Sequence, residues 1–168
     1  MCTKTQYKPK NVKNYANLFP SLKLFNCYLI FYPSLSILNP MNTEEITTKL
    51  KSVRNQLLAL HKTLLDHQKE EFEGNNHRIT SPSQYFELVT THREFAWLKT
   101  LSELIVSVDT LLDGKDFDSE NALNMLAYTK KLISSEQPHN DFAEKYIRSL
   151  HQNPSVALAH AKLMQELT

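Results

Sequence analysis

Glycine occurs only twice in this 168-residue chain, at Gly74 and Gly114, and that scarcity excludes several chemistries at once. A Gly-x-x-x-x-Gly-Lys phosphate loop and a Gly-x-Gly-x-x-Gly turn each need more than one glycine within a few residues, so neither can be built. The Gly-x-Ser-x-Gly elbow of many hydrolases is missing for the same reason, and a hairpin-rich sheet would want more glycine in its turns. Cysteine is as rare: Cys2 and Cys27 both lie in the first forty residues. Residues 41–168 therefore hold no disulfide, thiolate zinc site or cysteine nucleophile. His-Glu-x-x-His is absent, and the Glu-x-x-His spacing of di-iron bundles occurs only from Glu136 to His139, across Pro138, where a helix cannot carry it. No repeat of 30 to 45 residues is visible, which argues against a helical solenoid.

A second absence divides the chain. Residues 1–40 contain no Asp, Glu, Arg or Gly, but five Lys, five Asn, six Leu, four Tyr and three Phe. All eighteen acidic residues follow Met41. Three readings of this arm compete. The one needing fewest assumptions is a non-native upstream extension, because Lys, Asn, Tyr, Phe, Ile and Leu are what random AT-rich triplets encode; Met41 then starts the protein. The second is a signal-like segment, with Lys4, Lys8, Lys10 and Lys13 ahead of the apolar run Leu24 to Tyr32. That run is too short to span a bilayer comfortably, and no small-x-small cleavage site follows it. The third is a disordered arm, against which the seven aromatics count.

Without the arm, fourteen Lys plus Arg stand against eighteen Asp plus Glu, and the formal charge moves from +1 to −4. Nucleic acid is disfavoured as a partner, since no basic face is evident. A length of 128 residues suits one core, and with no clear export signal or disulfide the cytoplasm is the default compartment, with no membrane association for residues 41–168.

Those residues punctuate themselves as helices. Asn42, with Glu45 three positions on, has the spacing of a reciprocal cap. From there to about Glu73, Ile46, Leu50, Val53, Leu57, Leu60, Leu64 and Gln68 form one amphipathic stripe, and Gly74 reads as a stop. Ser81-Pro82 with Gln84 opens a short second helix ending near Thr91. A third runs from about Glu94 to Leu112, with Trp97, Leu98, Leu101, Leu104, Ile105, Val108 and Leu112 on one face, and its apolar character marks it as the most buried element. Asp118 and Ser119 cap a fourth through about Ser134, with Leu123, Leu126, Tyr128 and Leu132 inward. Asn140 opens a fifth reaching His151, and Asn153-Pro154 a sixth to the C-terminus. No segment alternates at period two. The expectation is an all-α single bundle of about five to six helices, preceded by an irregular arm.

Two histidines draw attention. His61 lies one turn from Leu57 and Leu65 on the edge of the first stripe, and His160 shares a face with Val156, Ala159, Leu163, Met164 and Leu167. A neutral imidazole can bind metal or move protons near neutral pH. The simpler reading is that each ring makes one structural hydrogen bond and packs. Glu71 and Gln68 prolong the first stripe and would complete a polar cluster, although near a helix end such residues are usually solvated. Asp109 is the other acidic donor within reach of a core site. His67 with Glu70 or Glu71, and His92 with Glu94, offer proximity but no ligand motif. Glu103 points away from the apolar face of the third helix and reads as surface, and the rings around Trp97 read as core.

The run Phe95-Ala96-Trp97-Leu98, then Ser102-Glu103-Leu104-Ile105-Val106 and Asp109, resembles a small bacterial family of uncharacterised helical proteins. Tyr146-Ile147-Arg148-Ser149-Leu150 through Asn153-Pro154 to Leu158-Ala159-His160-Ala161 is similar to that family's C-terminus. The resemblance spans residues 44 to 168. It implies one helical domain and brings no activity, cofactor or catalytic residue.

Two functional expectations follow. One is a non-catalytic protein-interaction or regulatory module, binding a protein partner or itself, with no cofactor and no catalytic residues. The other is a bundle enclosing a metal or small ligand, with hydrolase or transferase chemistry, in which His61, His160, Glu71 and Asp109 are the candidate ligands.

Overall fold

Asn42 caps the longest helix of the described residues. The structure is a computed structural model and describes residues 42–114, 117–134 and 140–168. The three readings of the arm and the Glu136–His139 spacing lie outside those residues. The described residues belong to one unit, Pro40–Thr168. Among them are six α-helices and one 3₁₀ turn, with no strand: α1 (Thr43–Asn75), α2 (Pro82–Thr91), the 3₁₀ turn (Ala96–Leu98), α3 (Lys99–Leu112), α4 (Ser119–Ile133), α5 (Asp141–Gln152) and α6 (Pro154–Glu166). The all-α bundle expected from the sequence is the observed architecture.

The caps explain where the helices start. Asn42 Oδ1 accepts from the Glu44 N–H and Glu45 Oε2 accepts from the Asn42 N–H, the reciprocal cap the spacing indicated. Glu44 and Glu45 also place negative charge on the positive end of the helix dipole. Ser81, Asp118, Asn140 and Asn153 cap α2, α4, α5 and α6 one-way, each side chain accepting from backbone N–H groups of the first turn.

Several expectations are corrected. Gly74 does not stop α1, which continues to Asn75; Asn76 ends it by turning both its backbone N–H and its Nδ2 onto the Phe72 carbonyl. The third helical segment is not α-helical from Glu94. Leu98 N–H bonds the Phe95 carbonyl, a three-residue span, so the Trp97 segment is a tight 3₁₀ turn and α3 starts at Lys99. Leu123 does not face inward but is exposed, and Ala122, Thr129 and Ile133 line the inner face of α4 with Leu126 and Leu132.

Nor does α3 stand out as the most buried element, because Val106 on its outer face is 61% exposed. The hub is α1, which at 33 residues runs about 50 Å and packs against α3, α4 and α6. Arg54 pairs with Asp109 and His61 with Ser102, so α3 runs antiparallel to α1. His67 meets Asn153 while Thr48 and Lys49 lie near Gln165, so α6 is antiparallel to α1 on another side. Ile46, Leu50, Val53, Leu57, Leu60 and Leu64 are buried in one core with Leu101, Leu104, Ile105, Val108, Val156 and Leu163. α2 contrasts with every other helix in having no buried residue. It rests on the bundle through the half-buried Tyr85, Leu88 and Val89.

Candidate functional site

Each of the four residues singled out in the sequence has a different neighbourhood. His61 Nε2 lies 3.0 Å from Ser102 Oγ on α3. Burial pulls the His61 pKa below its ordinary value, opposed by a hydrogen bond to the Leu98 carbonyl, which favours the protonated ring. His160 Nδ1 lies 2.8 Å from the Tyr146 hydroxyl on α5, and burial lowers its pKa as well. The Tyr146 hydroxyl is pushed far above the ordinary tyrosine value by burial, so it stays protonated and available to the imidazole. Asp109 Oδ1 accepts from Arg54 Nε at 2.6 Å at the α1–α3 seam, with both side chains about a third exposed. Glu71 is half-buried near the C-terminal end of α1 and has no ion pair among the described residues.

The last helix does pack beside the first, yet its histidine turns to α5 while His61 turns to α3, and no hydrogen bond links the two rings. Among the described residues, no three His, Cys, Asp or Glu side chains gather closely enough to hold a metal ion. A structural metal site needs about four ligands and a catalytic one about three. The Ser102–His61 contact has the atoms of a nucleophile–base pair, but Ser102 Oγ also donates to the Leu98 carbonyl one turn back, as a helical serine commonly does. That places the hydroxyl against its own helix.

The sequence reading missed the polar end of the first stripe. Gln68, expected to be solvated, is only 7% exposed and accepts a 2.8 Å hydrogen bond from Trp97 Nε1. His67 is 8% exposed and accepts at Nδ1 from Asn153 Nδ2, because Asn153 Oδ1 is occupied by the Ser155 and Val156 N–H groups. As an acceptor at Nδ1 the neutral ring carries its hydrogen on Nε2, and Nε2 is buried with no partner among the described residues. The rings around this end form a continuous series. Trp97 lies 6.0 Å from Phe142, Phe142 stacks on Tyr146 at 5.4 Å, and Tyr146 lies 6.0 Å from His160. On the other side Phe72 contacts His92 and Phe95.

A cleft of about 220 Å³ opens over this region. Its buried lining is Gln68, Trp97 and Ser149. Glu71 and Asn75 come from the end of α1 and Glu94 from the turn before α3, while α5 supplies Lys145 and Arg148. Lys145 keeps a 3.4 Å contact with Asp141, and Arg148 and Glu94 have no ion pair among the described residues. The signal that pointed here was the continuation of the apolar stripe into Gln68 and Glu71. Nothing local in the sequence announced that α5 would deliver two cations beside them.

No family model, curated protein or solved structure matches this chain. The family resemblance of residues 44 to 168 therefore carries no argument about the site. Among the described residues no helix is long and apolar enough to cross a membrane.

Proposed function

We propose that residues 41–168 act as a non-catalytic protein-interaction or regulatory module. The observation that carries this reading is α2: Phe86 is 71% exposed on a helix with no buried residue. A large aromatic side chain left in water forgoes the stabilisation its burial would give, about 1.5–3 kcal/mol for a full side chain. Aromatics are also enriched at the energetic centres of interfaces. Outer-face Val106 and Leu158 are exposed as well. Three pairs of polar groups facing the core, by contrast, are engaged with one another: Gln68 with Trp97, His61 with Ser102, Tyr146 with His160. Chemistry at those atoms would first have to break structural bonds. The alternative of a metal or small-ligand site at His61 and His160 gains no support from their separate partners.

A photo-reactive residue at position 86 of the full chain, in the cells that make it, should give a discrete cross-linked product, either a second copy or a defined partner. The same reporter at exposed Glu120, in the first turn of α4, should give less. Sedimentation velocity separates self-association from a heterologous partner. A monomer that yields no discrete product at positions 86, 106 or 158 would overturn the reading.

A further inference from the structure

We propose that the cleft between the C-terminal end of α1, the turn before α3 and α5 binds a small zwitterion, a free amino acid or a close analogue carrying one carboxylate and one ammonium. This inference rests on the residues lining the cleft and stands apart from the interaction surface on α2. The rim holds both signs of charge, and they arrive on different elements: Glu71 and Glu94 from α1 and the turn before α3, Lys145 and Arg148 from α5. Although all four line one space of about 220 Å³, no carboxylate among them pairs with either cation within 4.0 Å. Opposite charges around one cleft that do not satisfy each other are suited to a molecule that presents the complement of each.

The charge inventory selects among ligand classes. A phosphate or nucleotide would meet Arg148 and Lys145 but also the carboxylates of Glu71 and Glu94. A polyamine would meet the carboxylates and be opposed by the cations. A bare metal ion would find two carboxylates and no third charged ligand, in line with the absence of any three-ligand group among the described residues. A zwitterion places its carboxylate on the planar fork of Arg148 and its ammonium on Glu71 or Glu94.

The buried lining adds direction to that choice. Gln68 Oε1 is committed to Trp97 Nε1, which leaves the Gln68 amide as a donor and adds N–H groups for a carboxylate. Ser149 Oγ donates to the Lys145 carbonyl, so toward the cleft it can act only as an acceptor, suited to an ammonium. The Gln68–Trp97 bond also fixes the one aromatic ring of the lining, whose small exposed edge the ligand's carbon skeleton can touch.

Trp97 is the only tryptophan in the chain, so its fluorescence and its indole N–H resonance report on the cleft without interference. Full-length protein is titrated with individual free amino acids, then with the N-acetyl and carboxamide derivatives of any that bind. The expected result is a saturable change in the Trp97 signal for at least one amino acid, with affinity falling about tenfold or more when either charged group is blocked, since each charge-assisted hydrogen bond is worth about that much. In Arg148→Gln the acid and its carboxamide should bind alike, and in a variant carrying both Glu71→Gln and Glu94→Gln the amine and its N-acetyl form should bind alike. Both variants should keep the wild-type circular dichroism spectrum; should one not fold, the derivative series on the wild-type protein decides alone. No saturable change with any amino acid overturns the proposal. So does equal binding by the blocked derivatives, or an equal response to inorganic phosphate or spermidine.

Discussion

The first two-thirds of α1 and its last third belong to the same helix and pack into the same molecule, yet they are built on opposite principles. From Ile46 to Leu64 every buried position is Ile, Leu or Val and is essentially out of contact with water. From His67 to Phe72 the inward positions are His67, Gln68 and Phe72, with Glu71 half-buried beside them. The aliphatic length needs only shape: any side chain of similar size and hydrophobicity is tolerated there at modest cost. The polar-aromatic length needs partners, because each buried N–H or carbonyl oxygen must be matched or its desolvation goes uncompensated. Stability is therefore spread over many interchangeable contacts at one end and concentrated in a few specific bonds at the other. The end that needs specific bonds is also where the cleft lies.

The sharpest way to break this contrast is a cavity in the aliphatic length. Leu60 is fully buried, and Leu60→Ala should cost about 2 to 5 kcal/mol, read by chemical denaturation. Leu104→Ala on α3 should behave alike. A loss below about 0.5 kcal/mol would mean that this face is not core.

At the polar end the expected loss is smaller but coupled. Gln68→Leu leaves the buried Trp97 indole N–H without an acceptor and should cost about 1 to 3 kcal/mol. Trp97→Phe removes the donor and leaves Gln68 unmatched. The double variant should be more stable than the sum of the single losses implies, because both polar groups leave together. An additive cycle would show that the bond contributes nothing beyond packing.

These two regions were not equally legible in the sequence, and the reason is physical. Five of the six helix starts were readable because caps are local: Asn42, Ser81, Asp118, Asn140 and Asn153 each act on N–H groups two or three residues ahead, whereas α3 has no side-chain cap and its start was misplaced. The aliphatic stripe was readable because a period of three to four residues is a property of one helix. The end of α1 was misread because a glycine's permissiveness is only a tendency, and Asn76 supplied a better stop two residues later. Gln68 was misread because its partner Trp97 lies 29 residues away. Leu123 was misread because α4 has no clean stripe. The cleft was invisible because its basic residues belong to α5, and local periodicity cannot say which helix end a distant helix will reach.

A matched pair of caps sharpens the comparison further. Asn42 and Asn153 are both N-caps, but Asn42 sits at the exposed start of the aliphatic length, whereas Asn153 also donates from Nδ2 to buried His67. Asn42→Ala should cost about 1 kcal/mol, the ordinary worth of a cap. Asn153→Ala should cost that and more, since Nδ1 of the largely buried His67 then loses its donor. Equal losses in thermal or denaturant unfolding would show that the His67 contact is incidental.

The smallest effect concerns pH, and it tests whether the contrast extends to titrating groups. Burial sets the folded-state pKa of His61 and of His160 below the ordinary 6.5, so as the pH drops the unfolded chain takes up protons before the folded one does. The stability that depends on keeping these rings neutral is fully present above about pH 6.5 and is lost progressively below it, until the folded rings protonate too. The melting temperature should therefore fall between about pH 7 and pH 5. The slope should be shallow, because both rings keep partial contact with water, which screens the cost of charging them. His61 bonds to α3 beside the aliphatic length and His160 to the aromatic series, so His61→Gln and His160→Gln remove one titrating ring from each region. If each variant flattens the slope by a similar amount, acid sensitivity follows burial alone and ignores the difference between the two ends. If only His160→Gln does, the bond to Tyr146 sets it, since a protonated ring can no longer accept from that hydroxyl and the pair must reverse its donor.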